Sequence, residues 1–415
     1  MVYVKPFRGI RPQGGLAEKV SALPYDVMNR HEAKKMAEKN DISILHVTRS
    51  EIDFPDEVGD YDNIVYEQGK NNLKAFLEKG ILERETEPVY YIYREIMGEK
   101  SQTGIVAAVA VSDYENGSIM KHELTRKEKE ADRIRHFDVC NCQTEPVFLT
   151  YRHRDALDEL IADWVEHHPP VYDFVSDDGI QHTLWVMDES EKMNRVEELF
   201  SSMDKLYIAD GHHRTASAAA IRKIRNEQES NLSPDAPANY IMAVIFPDLE
   251  LNIMSYNRIV KIPDEFSCED FLKFLSRYFS LEKMEGNYTP SKKHCFGMYL
   301  NQSWYSMDAK ADLFQNEKIS DNLDAAILQK TVFAPYFGIE NPRTDQRIDF
   351  IGGIRGNEEI VRRCEKEHCI GFNLYPVDIA DLMAVADAGE MMPPKSTWFE
   401  PKLRSGLFLH SFERN

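Results

Sequence analysis

The string Lys205-Leu206-Tyr207-Ile208-Ala209-Asp210-Gly211-His212-His213-Arg214-Thr215 passes from apolar residues through a glycine into an alanine-rich stretch. Lys205 to Ala209 reads as a short buried strand and Thr215 to Arg225 as a helix, with the bend at Gly211. Such a turn aims the first N–H groups of the helix, and the positive end of its dipole, at one spot that suits an anion. Arg214 adds a planar fork of donors and His212 and His213 add ring N–H groups. Asp210 is placed to hold a magnesium ion or to cap the helix. Two other readings stand beside the anion site. One is a plain N-cap with locally packed histidines. The other is a metal site joining His212 and His213 to His122 or His136, against which stand their adjacency and the absence of His-x-x-x-His spacing.

Two more strings have residue types that do chemistry. Lys121-His122-Glu123 sets a carboxylate beside an ammonium and an imidazole, which keeps it ionised; the same string also reads as a solvated charge run opening a helix. Downstream, Arg126, Lys129, Asp132, Arg133 and His136 recur at three- and four-residue spacings, so one helix face carries them, either to order phosphates or to form ion pairs. Lys395, Ser396 and Thr397 follow two prolines, a stiffened loop with an ammonium and two hydroxyls, readable as a lid or as a plain surface loop.

The elements that must position these residues alternate between strand and helix patterns. Ile42 to Val47 predicts a strand and Asp62 to Lys79 an amphipathic helix stopped by Gly80; Pro88 to Arg94 and Gly104 to Ser112 predict adjacent strands. Ala156 to His167 predicts a helix, and His182 to Met187 and Tyr240 to Phe246 predict strands; polar Glu227 to Pro237 predicts a loop. Beyond Val260, Cys268 to Phe279 reads as a helix and Phe296 to Leu300 with Trp304 to Met307 as a hairpin. Ile348 to Ile354 and Cys369 to Leu374 read as further strands. The proline-rich, basic stretch from Met391 to Gly406 reads as a loop that something must hold. The expected class is α/β, or α+β.

Composition narrows the function. A chain of 415 residues exceeds the usual span of one core, so two or three domains are expected. A formal charge of −20 repels a nucleic-acid backbone, so no nucleic-acid partner is expected. The longest apolar run, Ile105 to Val111, is too short for a membrane span, and Met1 opens no basic-then-apolar signal. Six cysteines without C-x-x-C pairing fit a reducing cytoplasm. There is no G-x-x-x-x-G-K-[ST] loop, no G-x-G-x-x-G, no H-E-x-x-H and no G-x-S-x-G.

Ala209 to Arg214 resembles the Asp-Gly-His-His-Arg motif of the superfamily that joins ParB partition proteins, sulfiredoxin and an archaeal free serine kinase, where this turn binds nucleotide phosphates. Lys121-His122-Glu123 is similar to the kinase's Pro-His-Glu string, whose glutamate is taken as general base. Pro393-Pro394-Lys395-Ser396-Thr397, followed by Pro401-Lys402-Leu403, is similar to its C-terminal Ser-Pro-Lys-Thr-Thr segment. Over essentially its whole length the chain also resembles the domain-of-unknown-function 1015 family. The chain departs from the kinase in its greater length, an additional N-terminal region of about a hundred residues, and a wider gap between Glu123 and Asp210.

The resemblance implies a ParB/sulfiredoxin-like central core at 96–260, flanked by an N-terminal α/β region at 1–95 and a C-terminal α/β domain with a closing loop at 261–415. It implies an ATP-dependent kinase of free L-serine that makes O-phospho-L-serine. The nucleotide is ATP or ADP with Mg2+, and the place of action is the cytoplasm. Glu123, Asp210 and His213 would be catalytic, with Asp210 the magnesium ligand. Gly211, His212, Arg214, Thr215, Lys121, His122 and Arg133 would bind nucleotide, while Lys395, Ser396 and Thr397 would meet substrate or form the lid. The sulfiredoxin branch needs a cysteine beside the phosphate turn, and none is there. A nucleotide-gated switch module of the partition-protein kind, or a kinase or phosphatase of another small alcohol, is the alternative.

Overall fold

The structure is a computed structural model that describes residues 1–229 and 232–413; the loop expected over Glu227 to Pro237 therefore includes two positions, 230 and 231, outside the described residues. The chain divides into two compact units: Met1–Met120, Thr125–Leu251 and Pro401–Asn415 form unit 1, and Lys121–Leu124 with Asn252–Glu400 form unit 2.

Unit 1 is built on a nine-stranded mixed sheet. Its strands are β1 (Val4–Lys5), β2 (Tyr90–Met97), β3 (Lys100–Ala110), β4 (Ile119–Met120), β5 (Val147–Tyr151), β6 (Tyr172–Val175), β7 (Gln181–Met187), β8 (Leu206–Asp210) and β9 (Tyr240–Pro247). They lie in the order β4-β8-β5-β9-β3-β2-β7-β6, with β1 against β3. The β2–β3 hairpin pairs Tyr91 with Val106 and turns at Gly98, whose φ of 61° suits glycine. Central strands β3 and β9 are buried along most of their length, as expected for runs such as Ile105 to Val111, and pack with Trp164, Trp185 and Phe200 in the largest core of the unit.

Helices α1 (Asn63–Glu78), α2 (Lys127–Cys140), α3 (Asp155–His167), α4 (Ser190–Ser201) and α5 (His212–Gln228) accompany the sheet. Helix α1 starts after Asp62 and ends at Lys79, with Gly80 at φ 66°, as its sequence pattern predicts. The expected strand over Ile42 to Val47 is instead a turn of helix at Leu45–Thr48. Its short apolar run buries Ile44, Leu45 and Val47 in a core shared with α1, and a run of that length fits either conformation.

Unit 2 has a six-stranded antiparallel sheet. Its strands are β10 (Tyr256–Lys261), β11 (Phe279–Met284), β12 (Cys295–Leu300), β13 (Ser303–Ala309), β14 (Ile348–Gly352) and β15 (Cys369–Leu374). They lie in the order β11-β13-β12-β15-β10-β14 over a core of Phe271, Phe296, Phe333 and Phe372. The helix expected through Phe279 stops at Leu275, and Phe279 opens β11. The fold is mixed α/β. No described helix is long and apolar enough to cross a membrane.

Candidate functional site

Strand β8 reaches the turn through an irregularity in its pairing with β5: Ile208 lies opposite Leu149 while Asp210 lies opposite Phe148. One extra residue in a strand bends it and re-aims the side chain that follows. Gly211 then takes φ 95°, a left-handed value that favours glycine, and α5 begins at His212. The N–H of Gly211 donates to Asp210 Oδ1 at 2.8 Å, and the Thr215 hydroxyl donates to the Gly211 carbonyl at 3.0 Å. The bend is fixed by its own residues, and the 17-residue helix behind it directs its N-terminus along the turn.

Arg214 folds back under this turn. Its side chain is buried and donates through Nη1 to the Pro146 carbonyl, while Nε has no hydrogen-bond partner among the described residues. That Nε lies 3.2 Å from where a Cβ on Gly211 would stand. Burial works against the guanidinium charge, but Asp26, Asp210 and Glu145 outweigh it and hold the pKa above its ordinary value.

Arg133, the expected phosphate contact on α2, is also buried. It stacks on Tyr25 at 3.9 Å, its Nε donates to Asp132 at 3.0 Å, and its Nη1 is 3.6 Å from Glu145 Oε2. The Tyr66 hydroxyl donates to the other oxygen of Asp132. Of the charged face read from the sequence, Asp132, Arg133 and His136 are buried and Arg126 and Lys129 are exposed. Glu145 is a hub: its Oε1 accepts from the Tyr25 N–H at 2.9 Å and the Ser405 hydroxyl at 3.0 Å.

Residues 401–412, expected to lie in or beyond a loop, form a buried strap in unit 1. Leu407, Phe408 and Leu409 are at most 1% exposed, Leu409 exchanges backbone bonds with Ile10, and His410–Ser411 pairs with Cys142–Gln143. The strap brings Lys402 to Asp210, Nζ to Oδ2 at 2.7 Å, and Arg404 to Ser176 and Asp178. Lys402 belongs to a string already noted for its resemblance, yet nothing in its spacing ties it to a residue so far upstream.

In unit 1 the structure therefore assembles Asp210, Gly211, His212, His213, Arg214 and Thr215 with Arg133 one shell away through Glu145. Unit 2 assembles the other two strings. The Met392 N–H donates to the His122 carbonyl at 2.8 Å, and Arg343 donates to the Leu124 carbonyl at 3.1 Å, so Lys121-His122-Glu123 is held beside the Pro393–Thr397 segment. Lys395 has φ 58°, unusual outside glycine, and its ammonium lies 5.4 Å from the centre of the Tyr256 ring. Buried Arg258 holds that backbone by donating to the Lys395 carbonyl at 3.1 Å, and burial pushes its pKa down to about 10. Ser396 is buried and donates to the Pro393 carbonyl at 2.7 Å, so its hydroxyl proton is committed locally.

Magnesium is implied by the resemblance. Asp210 is one carboxylate, and among the described residues no group of three or more His, Cys, Asp and Glu comes together to hold a metal. Magnesium keeps several waters and commonly takes one or two carboxylates plus phosphate oxygens, so these residues fit an ion that arrives with a nucleotide.

The family model described as Protein of unknown function (DUF1015) matches residues 4–326. None of the curated proteins matches the chain. The solved structures to which it is similar include SbnI with C-terminal truncation from Staphylococcus aureus, at 12% identity and TM-score 0.42, covering 75% of this chain and 90% of that one. A conserved hypothetical protein from Pyrococcus furiosus matches at 12% identity and TM-score 0.36, covering 73% and 95%. A free serine kinase in complex with AMP matches at 13% identity and TM-score 0.36, covering 73% and 92%.

Proposed function

The chain belongs to the family described as Protein of unknown function (DUF1015), and we propose that it is a cytoplasmic phosphotransferase moving a phosphoryl group from ATP to the hydroxyl of free L-serine. The turn at Gly211 carries this assignment: a left-handed glycine opens a long helix directly over a buried arginine whose Nε lacks a hydrogen-bond partner among the described residues. A phosphate is the anion such a turn is shaped to receive, because it accepts from several N–H donors at once and satisfies a planar guanidinium. The ParB/sulfiredoxin-like core of this proposal is residues 96–260, whose strand β8 ends in this turn.

In the proposed reaction the serine hydroxyl oxygen attacks the terminal phosphorus, its proton passes to Glu123, and ADP leaves. Glu123 takes this role from the resemblance, as do Lys121 and His122 in binding and Lys395, Ser396 and Thr397 in closing over the substrate. Gly211, His212, His213, Arg214 and Thr215 hold the phosphates in line, and Arg133 supports them through Glu145. Bound magnesium would neutralise charge on the nucleotide oxygens. The protein's share is positioning and charge stabilisation, which dominate phosphoryl transfer. Incubating the protein with ATP or ADP, magnesium and a panel of L-serine, L-threonine, L-homoserine and glycerol, with product read by mass, tests the acceptor. Product from L-serine alone supports the assignment; product from another alcohol alone reassigns the substrate, and no product from any of them removes the kinase.

A further inference from the structure

A cavity of about 290 Å3 opens in unit 1 between residues 25–61 and the first turns of α2. Its volume lies at the lower end of small-molecule sites, roughly 300–1,000 Å3, which suits a metabolite smaller than a nucleotide. Four acidic and four basic side chains line it. Six of them pair among themselves: Arg30 with Asp60 at 3.1 Å, Arg133 with Asp132 at 2.9 Å, and Arg49 with Glu51. The two left over are opposite in sign. Asp26 is exposed and makes no hydrogen bond or ion pair among the described residues. Lys129 is exposed too; its ammonium donates to the Tyr61 hydroxyl at 3.3 Å and has no carboxylate partner among the described residues.

Helix capping does not account for Asp26. The helix that follows it, Arg30–Met36, is capped by Asn29, whose Oδ1 accepts from the Glu32 N–H at 3.0 Å. The turn that carries Asp26, Tyr25–Val27, is fixed by other residues: the Tyr25 N–H donates to Glu145 at 2.9 Å, and Arg49 donates to the Tyr25 and Met28 carbonyls, each at 2.8 Å. Backbone held in this way presents the carboxylate in one place before any ligand arrives. Burial works against the Arg214 charge, and of the carboxylates that offset it Asp26 acts most strongly, ahead of Asp210 and Glu145, although no ion pair joins the two. The cavity therefore adjoins the Gly211 turn. An anion in it would be repelled by Asp26 and a cation by Lys129, whereas a ligand with both charges on one small frame meets both. A free α-amino acid is such a ligand.

Resting on the kinase reading above for its role in the reaction, we propose that this cavity is the acceptor's site and binds a free α-amino acid as its zwitterion, the α-ammonium on Asp26 and the α-carboxylate on Lys129. Saturation-transfer NMR on the full chain, with and without ADP, compares L-serine with ethanolamine, which lacks the carboxylate, and with 3-hydroxypropionate, which lacks the ammonium. The parent is expected to bind L-serine more tightly than either. Asp26→Asn should weaken L-serine and ethanolamine about tenfold and leave 3-hydroxypropionate unchanged, the loss of one charge-assisted bond. Lys129→Met should weaken L-serine and 3-hydroxypropionate by about threefold, less because this ammonium is exposed and screened, and leave ethanolamine unchanged. Both side chains are exposed, so the variants are expected to melt with the parent, and the crossed pattern over the three ligands is one that a general loss of structure does not produce. L-serine bound no better than its two fragments, or not bound at all, overturns the zwitterion site, as does binding that neither variant weakens. The kinase reading fails separately. Amino-acid binding in this crossed pattern with no phosphorylated product keeps the cavity as an amino-acid site and removes its acceptor role. Product formed by both variants with the parent's KM for L-serine keeps the kinase and overturns the cavity as its acceptor site.

Discussion

The ammonium of Lys402 meets the carboxylate of Asp210 at 2.7 Å across 192 residues of sequence. The pair exists because residues 401–412 return to unit 1 and bury there, so the turn at Gly211 depends on this strap as much as on its own strand and helix. Arg404 and Ser405, next along the strap, end on Asp178 and Glu145 in the same way.

Truncation after Glu400 should therefore unfold unit 1 and not merely trim it. Leu407, Phe408 and Leu409 are at most 1% exposed. Each contributes about 1.5–3 kcal/mol by burial, together comparable with the net stability of a domain. The truncated chain is expected to lose near-ultraviolet circular dichroism and its cooperative melting transition; an unchanged melting temperature would refute the strap's structural role.

Gly211→Ala should cost stability and affinity together. Alanine at φ 95° is strained by roughly 1–2 kcal/mol, and its Cβ would stand 3.2 Å from Arg214 Nε. Urea denaturation and nucleotide titration are expected to shift together. A variant of unchanged affinity would show that the guanidinium's position beneath the turn does not matter.

Helix α1, the β2–β3 hairpin and the β8–α5 junction were all legible in the sequence, because each has a strong period or a glycine at the point of reversal. Ile42 to Val47 misled because six apolar-leaning residues carry too little periodicity to separate a strand from a buried helical turn. The strap was harder. Its prolines and basic residues look like surface, and Lys402 and Arg404 are buried only because Asp210 and Asp178 await them from distant positions. The hub at Glu145 has no signature in the sequence: its partners Tyr25, Arg133 and Ser405 are scattered along the chain, and no local spacing announces them.

Acid should destabilise unit 1 before most carboxylates titrate. His136 and His410 are buried; burial, then Arg133, pushes His136 down to about 3, and burial pushes His410 down to about 4. Above the ordinary histidine value of about 6.5 neither state takes a proton and stability is unaffected. Below it the unfolded chain takes up protons that the folded one refuses, so each histidine lowers stability by up to about 1.4 kcal/mol per pH unit until its folded value is reached. Urea midpoints should fall from about pH 6.5 towards 4, and His136→Gln should make that fall shallower. An equally steep fall in the variant would exclude His136 as a source.

Glu123→Gln should lower turnover by orders of magnitude, about a hundredfold or more, while nucleotide affinity stays within error, because a general base acts on the acceptor's proton and not on phosphate binding. Near-normal turnover would remove Glu123 as the base.

Phosphorus NMR of the purified chain with magnesium, L-serine and ATP tests the central claim most directly. The O-phospho-L-serine resonance is expected to grow in step with ADP, and to be absent when Arg214 is replaced with Met. ATP left intact beside L-serine, or consumed with release of inorganic phosphate alone, would contradict it.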